Sequence, residues 1–130
     1  MYGLCEECEK LNTGHLWCQS CNAKRFLQNF NNWTSGNNVI DEFIQNAQLK
    51  ARNYWNVLEW IEYDKFENVE YLTWRRFGTH KAIWKDGYIY CWHSKNNQWE
   101  RYREHYKKGQ SVTLKCLHDL QNITLEFQKK

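Results

Sequence analysis

Tyr71–Trp84 reads YLTWRRFGTHKAIW, and Val112–Lys115 reads VTLK. The first stretch is two runs of β-forming residues broken at Gly78, which predicts a strand over about Val69–Trp74, a turn, and a second strand over Lys81–Trp84. In the second stretch Val112 and Leu114 point one way and Thr113 and Lys115 the other, as the two-residue repeat of a strand requires. Outward from these, Lys85-Asp86-Gly87 lies between β-formers and predicts a hairpin turn. Tyr88–Trp92 and Gln98–Tyr102 flank His93–Asn97 and predict a further hairpin, inserted before Val112, whose aromatics are expected to pack on the rest of the sheet, with Trp92 and Trp99 as core or half-buried sheet residues rather than stacking platforms for RNA bases.

These pieces resemble strands one to three of a protein-kinase N-terminal lobe. That family's first strand runs into a turn of pattern G-x-G-x-x-G-x-V over the nucleotide phosphates, and a lysine of V-A-I-K grips the α and β phosphates. Here Thr73, Arg75 and Gly78 stand at the three glycine positions, Phe77 caps the turn, and Val112-Thr113-Leu114-Lys115 stands for V-A-I-K. His80-Lys81-Ala82 is one residue short of the family pattern, so the adenine-covering valine is missing or displaced, and a bulge is needed to keep the alternation in phase. The wider set CEEC, CQSCNAKRF, LEWIEYDKF, KAIWKDGYI and LKCLHDLQNITLEF is similar to a lineage-expanded fungal branch of the tyrosine-kinase-like group. The resemblance implies ATP with Mg²⁺ as cofactor, with Lys115, Gly78, Phe77 and Thr113 as nucleotide-binding residues, and phosphorylation of protein hydroxyls as the family activity. It places Lys130 where a helix-C glutamate should pair with Lys115, at the end of a short terminal helix that Asp119 or Asn122 caps and that runs through Glu126 to Lys130. No H-R-D or D-F-G motif occurs in the 130 residues. The expectation is a truncated or degenerate kinase homologue without catalytic residues of its own.

Cys5-x2-Cys8 and, after nine intervening residues, Cys18-x2-Cys21 form the strongest local signal. Two such knuckles, reversed at Thr13-Gly14, complete a closed tetrahedral sulfur shell for structural Zn²⁺, leaving His15 as a loop residue. Two disulfides or four free thiols are the alternatives. The spacing also loosely resembles the Ran-binding type of zinc finger, through Asn12 and Trp17, a family that binds single-stranded RNA or ubiquitin. This implies a non-enzymatic alternative: a binding module for RNA, ubiquitin or a protein partner.

The chain has 6 cysteines, no proline and 8 tryptophans, a composition that argues against disorder. MYGLCEECEK has no apolar core of a signal peptide and no run approaches transmembrane length, so the expected compartment is the reducing cytoplasm and no membrane partner is expected. That favours metal over disulfides, with Cys91 and Cys116 as buried free thiols. Charge is split, 5 basic against 8 acidic residues up to Asp64 and 13 against 7 from Lys65 onward. Scattered lysines of that kind read as a solvated face, with RYREHYKK at Arg101–Lys108 a solvated loop; nucleic acid is the lesser option beside a protein partner or self-association.

NNWTSGNN, Asn31–Asn38, supplies turn and cap residues. After it Ile40, Phe43, Ile44, Ala47, Ala51, Tyr54, Trp55 and Leu58 recur at three- and four-residue steps, with Asp41 and Glu42 in the first turn, which predicts a docking helix. The expected class is α+β: a zinc ribbon or knuckle unit over 1–30, a linker and amphipathic helix over 31–61, and a twisted antiparallel sheet of a partial kinase N-lobe over 62–130, ending in a truncated helix C.

Overall fold

Asn37 decides where the longer helix begins. Its side-chain oxygen accepts from the backbone N–H of Val39 at 2.9 Å and Ile40 at 3.3 Å, satisfying two of the donors that a helix start leaves open. In the computed structural model, which describes residues 1–71, 79–104, 109–116 and 125–128, helix α1 spans Gln19–Asn29 and helix α2 spans Asn38–Lys50. Strands β1 Phe66–Tyr71, β2 Thr79–Trp84, β3 Tyr88–His93, β4 Gln98–Tyr102, β5 Gln110–Cys116 and β6 Leu125–Gln128 follow. The architecture is α+β with small antiparallel sheets.

The chain divides into two compact units, Met1–Ile61 with Ile89–Glu100, and Glu62–Tyr88 with Arg101–Lys130. In the first unit α1 and α2 pack together. Its core is Trp17, Phe26, Ala51, Val57 and Ile89, with Phe30, Tyr54 and Trp99 half-buried against it. The buried line on α2 differs from the expected stripe: Asp41, Ile44 and Gln48 face inward, and Phe43 is 67% exposed. Hydrogen bonds explain the two polar members. The Asp41 carboxylate accepts from Thr34 Oγ1 at 2.5 Å, Ser35 Oγ at 2.6 Å and Ser35 N–H at 2.8 Å, and Gln48 Nε2 donates to the Leu58 carbonyl at 2.9 Å. The helix ends at Lys50, and Tyr54–Asn56 is a separate 3₁₀ turn.

In the second unit the sheet order is β1-β2-β5-β6, antiparallel throughout. β2 and β5 pair in unbroken register, Thr79 opposite Lys115, Ala82 opposite Val112 and Trp84 opposite Gln110. Alternation then buries Ala82, Trp84, Val112 and Leu114 on one face. β1 is irregular: its register against β2 shifts between Glu67 and Glu70, and Asn68 takes φ 53°.

Three expectations need correction. Lys85-Asp86-Gly87 makes no hairpin between its flanking strands: both edges of β2 are taken by β1 and β5, so β3 pairs with β4 instead. The β3–β4 hairpin does form, but as a separate two-stranded sheet, and its Trp99 belongs to the first unit, half-buried against Trp17 and Phe26. The terminal helix is replaced by a strand, for Leu125–Gln128 runs beside β5 with Glu126 opposite Lys115. The ITLEFQ pattern there alternates with period two, β5 offers an edge to pair with, and a two-turn helix has too few hydrogen bonds to persist. The expected turn residues Thr73, Arg75, Phe77 and Gly78, positions 105–108 of the basic loop, and Asp119, Asn122 and Lys130 lie outside the described residues.

Candidate metal centre

The four knuckle cysteines are brought together by two different local structures. The first knuckle is a turn: Cys5 N–H donates to the Lys10 carbonyl at 2.8 Å, Glu9 N–H donates to the Cys5 carbonyl at 2.9 Å, and Leu4 and Leu11 bridge across it. Glu9 takes φ 64° to close the turn, and Glu7 N–H points at Cys5 Sγ at 3.4 Å. The second knuckle is the start of α1, with Cys18 at the N-cap and Cys21 within the first turn. The positive end of a helix macrodipole favours thiolate charge there. No side-chain hydrogen bond caps α1.

Cys5 Sγ and Cys21 Sγ are 3.8 Å apart, Cys8 Sγ and Cys18 Sγ 3.6 Å, and all four sulfurs lie within 4.8 Å of one another. A disulfide needs about 2.05 Å, so these are separate thiols. Four Zn–S bonds of about 2.3 Å at tetrahedral angles put the sulfurs about 3.8 Å apart, close to the distances of the Cys5–Cys21 and Cys8–Cys18 pairs. The cluster can therefore hold a metal ion such as zinc, in a closed shell without an open position for a reacting water. His15 is not among the grouped residues.

The electrostatics point the same way. The backbone N–H of Lys10 beside Cys8 brings its thiol down to about 7. Burial pushes the Cys18 thiol up, and burial together with the crowded sulfurs of Cys8, Cys18 and Cys5 pushes Cys21 up to about 12. One thiolate forms readily and further negative charge is opposed, so a divalent cation is what lets all four ionise together. Cys91 is buried outside the cluster; burial and the carboxylate of Glu100, whose Oε2 accepts from Sγ at 3.4 Å, raise it to about 11.

The loop between the knuckles is fastened to the end of α2. Thr13 Oγ1 donates to the Arg52 carbonyl at 2.7 Å, Trp17 Nε1 to the Ala51 carbonyl at 3.0 Å and Gln19 Nε2 to the Leu49 carbonyl at 3.4 Å. Gly14 sits so close that an added Cβ would stand 2.8 Å from the Arg52 carbonyl oxygen. Arg25 joins the two knuckles: it pairs with Glu7 of the first, donates to Asn22 Oδ1 at 2.6 Å, and lies 4.5 Å over the Trp92 ring. Nothing in local spacing announces Arg25, because Glu7 is 18 residues away and Trp92 further still.

Of the residues expected to bind nucleotide, Thr113 is half-buried in β5 and Lys115 is placed by its backbone register alone. No family model, curated protein or solved structure matches the chain. Among the described residues no helix is long and apolar enough to cross a membrane.

Proposed function

We propose that the chain is a protein-kinase-like N-terminal lobe carried behind a zinc-stapled unit, presenting Lys115 to nucleotide phosphates. The order and register of β1, β2 and β5 support this reading. The strands before and after the 72–78 segment pair with each other, and the strand of Lys115 lies along β2, with Lys115 opposite Thr79 and Thr113 opposite Lys81. Those register positions alternate with the buried face of Ala82, Trp84, Val112 and Leu114, so the position of Lys115 belongs to the face away from that core. A lysine on the strand beside the one that follows a glycine-containing turn is the arrangement that holds the α and β phosphates in the family. Titrating the chain with ATP, GTP and tripolyphosphate tests the reading. Binding at roughly millimolar level, salt-sensitive and weakened by Lys115→Met, is expected. Equal binding by wild type and Lys115→Met would remove it.

The zinc unit favours a second reading, a non-enzymatic module for a protein partner. Leu4, Leu11 and Leu16 are 61%, 69% and 54% exposed around the knuckles, with Leu4 bridged directly to Leu11. Arg25 is already engaged by Glu7 and Asn22, which leaves little for RNA phosphates. Labelled single-stranded RNA and fluorescent ATP analogue, compared at matched salt, separate the readings: RNA binding that falls steeply with salt would replace both.

A further inference from the structure

We propose that metal occupancy of the cysteine cluster controls docking of the Ile89–Glu100 hairpin, making the N-terminal unit a metal-dependent clasp on the segment that connects β2 to β5. The inference rests on reading the cluster as a zinc site.

The path from sulfur to hairpin is short. Cys18 and Cys21 open α1, and the same helix carries Arg25 and Phe26 just over one turn beyond Cys21. Trp17 is the neighbour of Cys18 and is wholly buried. Trp99 of the hairpin stacks on both of these aromatics, 4.8 Å from the Phe26 ring at 23° and 5.7 Å from the Trp17 ring at 15°. Trp92, the other hairpin tryptophan, meets Trp99 edge-on at 5.1 Å and receives the Arg25 guanidinium at 4.5 Å. Arg25 is aimed by Glu7, which belongs to the first knuckle. Each tryptophan is thus held by residues that adjoin the two knuckles in the chain.

Apart from the knuckles, those residues are held by the packing of α1 on α2 and by the Trp17 indole on the Ala51 carbonyl. α1 has 11 residues and no side-chain cap, and a helix of that length is marginal on its own. β3 and β4 form only a two-stranded sheet, which is likewise marginal unless a face is packed. The competing anchor is α2 and the segment after it, through Ala51 and Val57 in the same core as Ile89, and Tyr54 at 5.3 Å from Tyr90. The clasp requires that this anchor alone does not suffice.

Thermodynamic linkage makes the claim reciprocal: if zinc promotes hairpin docking, the hairpin's contacts must strengthen zinc binding by the same factor. Cys5 and Cys18 line a cleft of about 270 Å³, which gives a competing chelator access. The test measures zinc affinity of the full chain by competition with a chromophoric chelator, for wild type, Trp99→Ala and the milder Trp92→Ala. It also measures amide exchange before and after zinc removal. Expected are at least tenfold weaker zinc binding for Trp99→Ala, severalfold weaker for Trp92→Ala, and joint loss of protection in α1 and Ile89–Glu100 while β2 and β5 stay protected. Zinc bound equally tightly by all three proteins, or hairpin protection that survives zinc removal, would overturn the clasp and leave the metal site standing. A chain that elemental analysis finds free of zinc would overturn the site and the clasp together.

Discussion

Trp17 donates its indole N–H to the Ala51 carbonyl at 3.0 Å, across 34 residues of chain, and has no exposed surface. One side chain therefore both fills the first unit's core beside Cys18 and holds the end of α2. Truncation to alanine removes the packing and the hydrogen bond and is expected to cost about 3–5 kcal/mol, while Trp17→Phe keeps most of the packing but leaves a buried carbonyl unpaired, costing about 1–3 kcal/mol. Trp55, 53% exposed, should change stability by less than about 0.5 kcal/mol when made alanine. Urea denaturation of the three variants checks the order; a Trp55→Ala loss equal to that of Trp17→Ala would contradict the assigned core.

The parts of this fold that were legible in the sequence are those with a local period or a ligand spacing. Cys5, Cys8, Cys18 and Cys21 converge as their spacing required. Val112 and Leu114 are buried and Thr113 is only half-buried, as alternation required. What was illegible depends on edges and partners distant in sequence. Asp86-Gly87 has hairpin chemistry, yet pairing of β2 with β1 and β5 leaves β3 no edge to use. Phe43 fits the apolar stripe of α2, but Thr34 and Ser35 draw Asp41 inward and turn Phe43 out. At the terminus the family pattern predicted helix, whereas the edge of β5 accepts Leu125–Gln128 as strand and sets Glu126 opposite Lys115 in register, where the family pattern had set Lys130. The irregularity of β1 near Asn68 has no local marker in the sequence.

One equivalent of zinc per chain is expected by elemental analysis, retained in Cys91→Ser and lost in the Cys5→Ser, Cys18→Ser double variant. Cys91 lies outside the cluster and is engaged with Glu100, so its removal leaves the sulfur shell intact. Zinc in sites of this kind contributes on the order of 10 kcal/mol to folding, more than a small unit holds in reserve, so its removal should unfold the region around the knuckles. Full zinc content in the double variant would disprove the ligand set.

Asp41 gives the first unit a defined pH response. Hydrogen bonds from the Ser35 and Thr34 hydroxyls and the Ser35 N–H hold its carboxyl below its ordinary 3.8. A carboxylate whose folded pKa is depressed stabilises the fold fully above the unfolded value and loses that contribution as pH falls through the folded one. Asp41→Asn should therefore be less stable than wild type at neutral pH, and the gap should close below about pH 4. Parallel denaturation series at pH 7 and pH 3 measure it; a gap that widens on acidification would reverse the assignment.

Gly36 and Gly87 both sit at positive φ, 88° and 73°, yet alanine should act very differently at the two. A Cβ at Gly36 meets nothing within 4 Å, so the cost is the left-handed backbone alone, roughly 1–2 kcal/mol. Asparagine, which tolerates that conformation, should recover part of it. At Gly87 the added Cβ would stand 2.0 Å from the Tyr102 carbonyl oxygen, while the Gly87 carbonyl accepts from Arg101 Nη1 at 2.9 Å. Backbone cannot swing aside as a side chain does, so Gly87→Ala must separate the base of the β3–β4 hairpin and break that bond as well. The loss should exceed that of Gly36→Ala by about 2 kcal/mol or more, and asparagine should bring little recovery, since the backbone contact adds to the dihedral strain there and remains whatever residue carries the Cβ. Thermal unfolding of the four single variants distinguishes the cases. Recovery by asparagine at Gly87 equal to that at Gly36 would show that backbone strain alone governs the corner where the chain leaves β2.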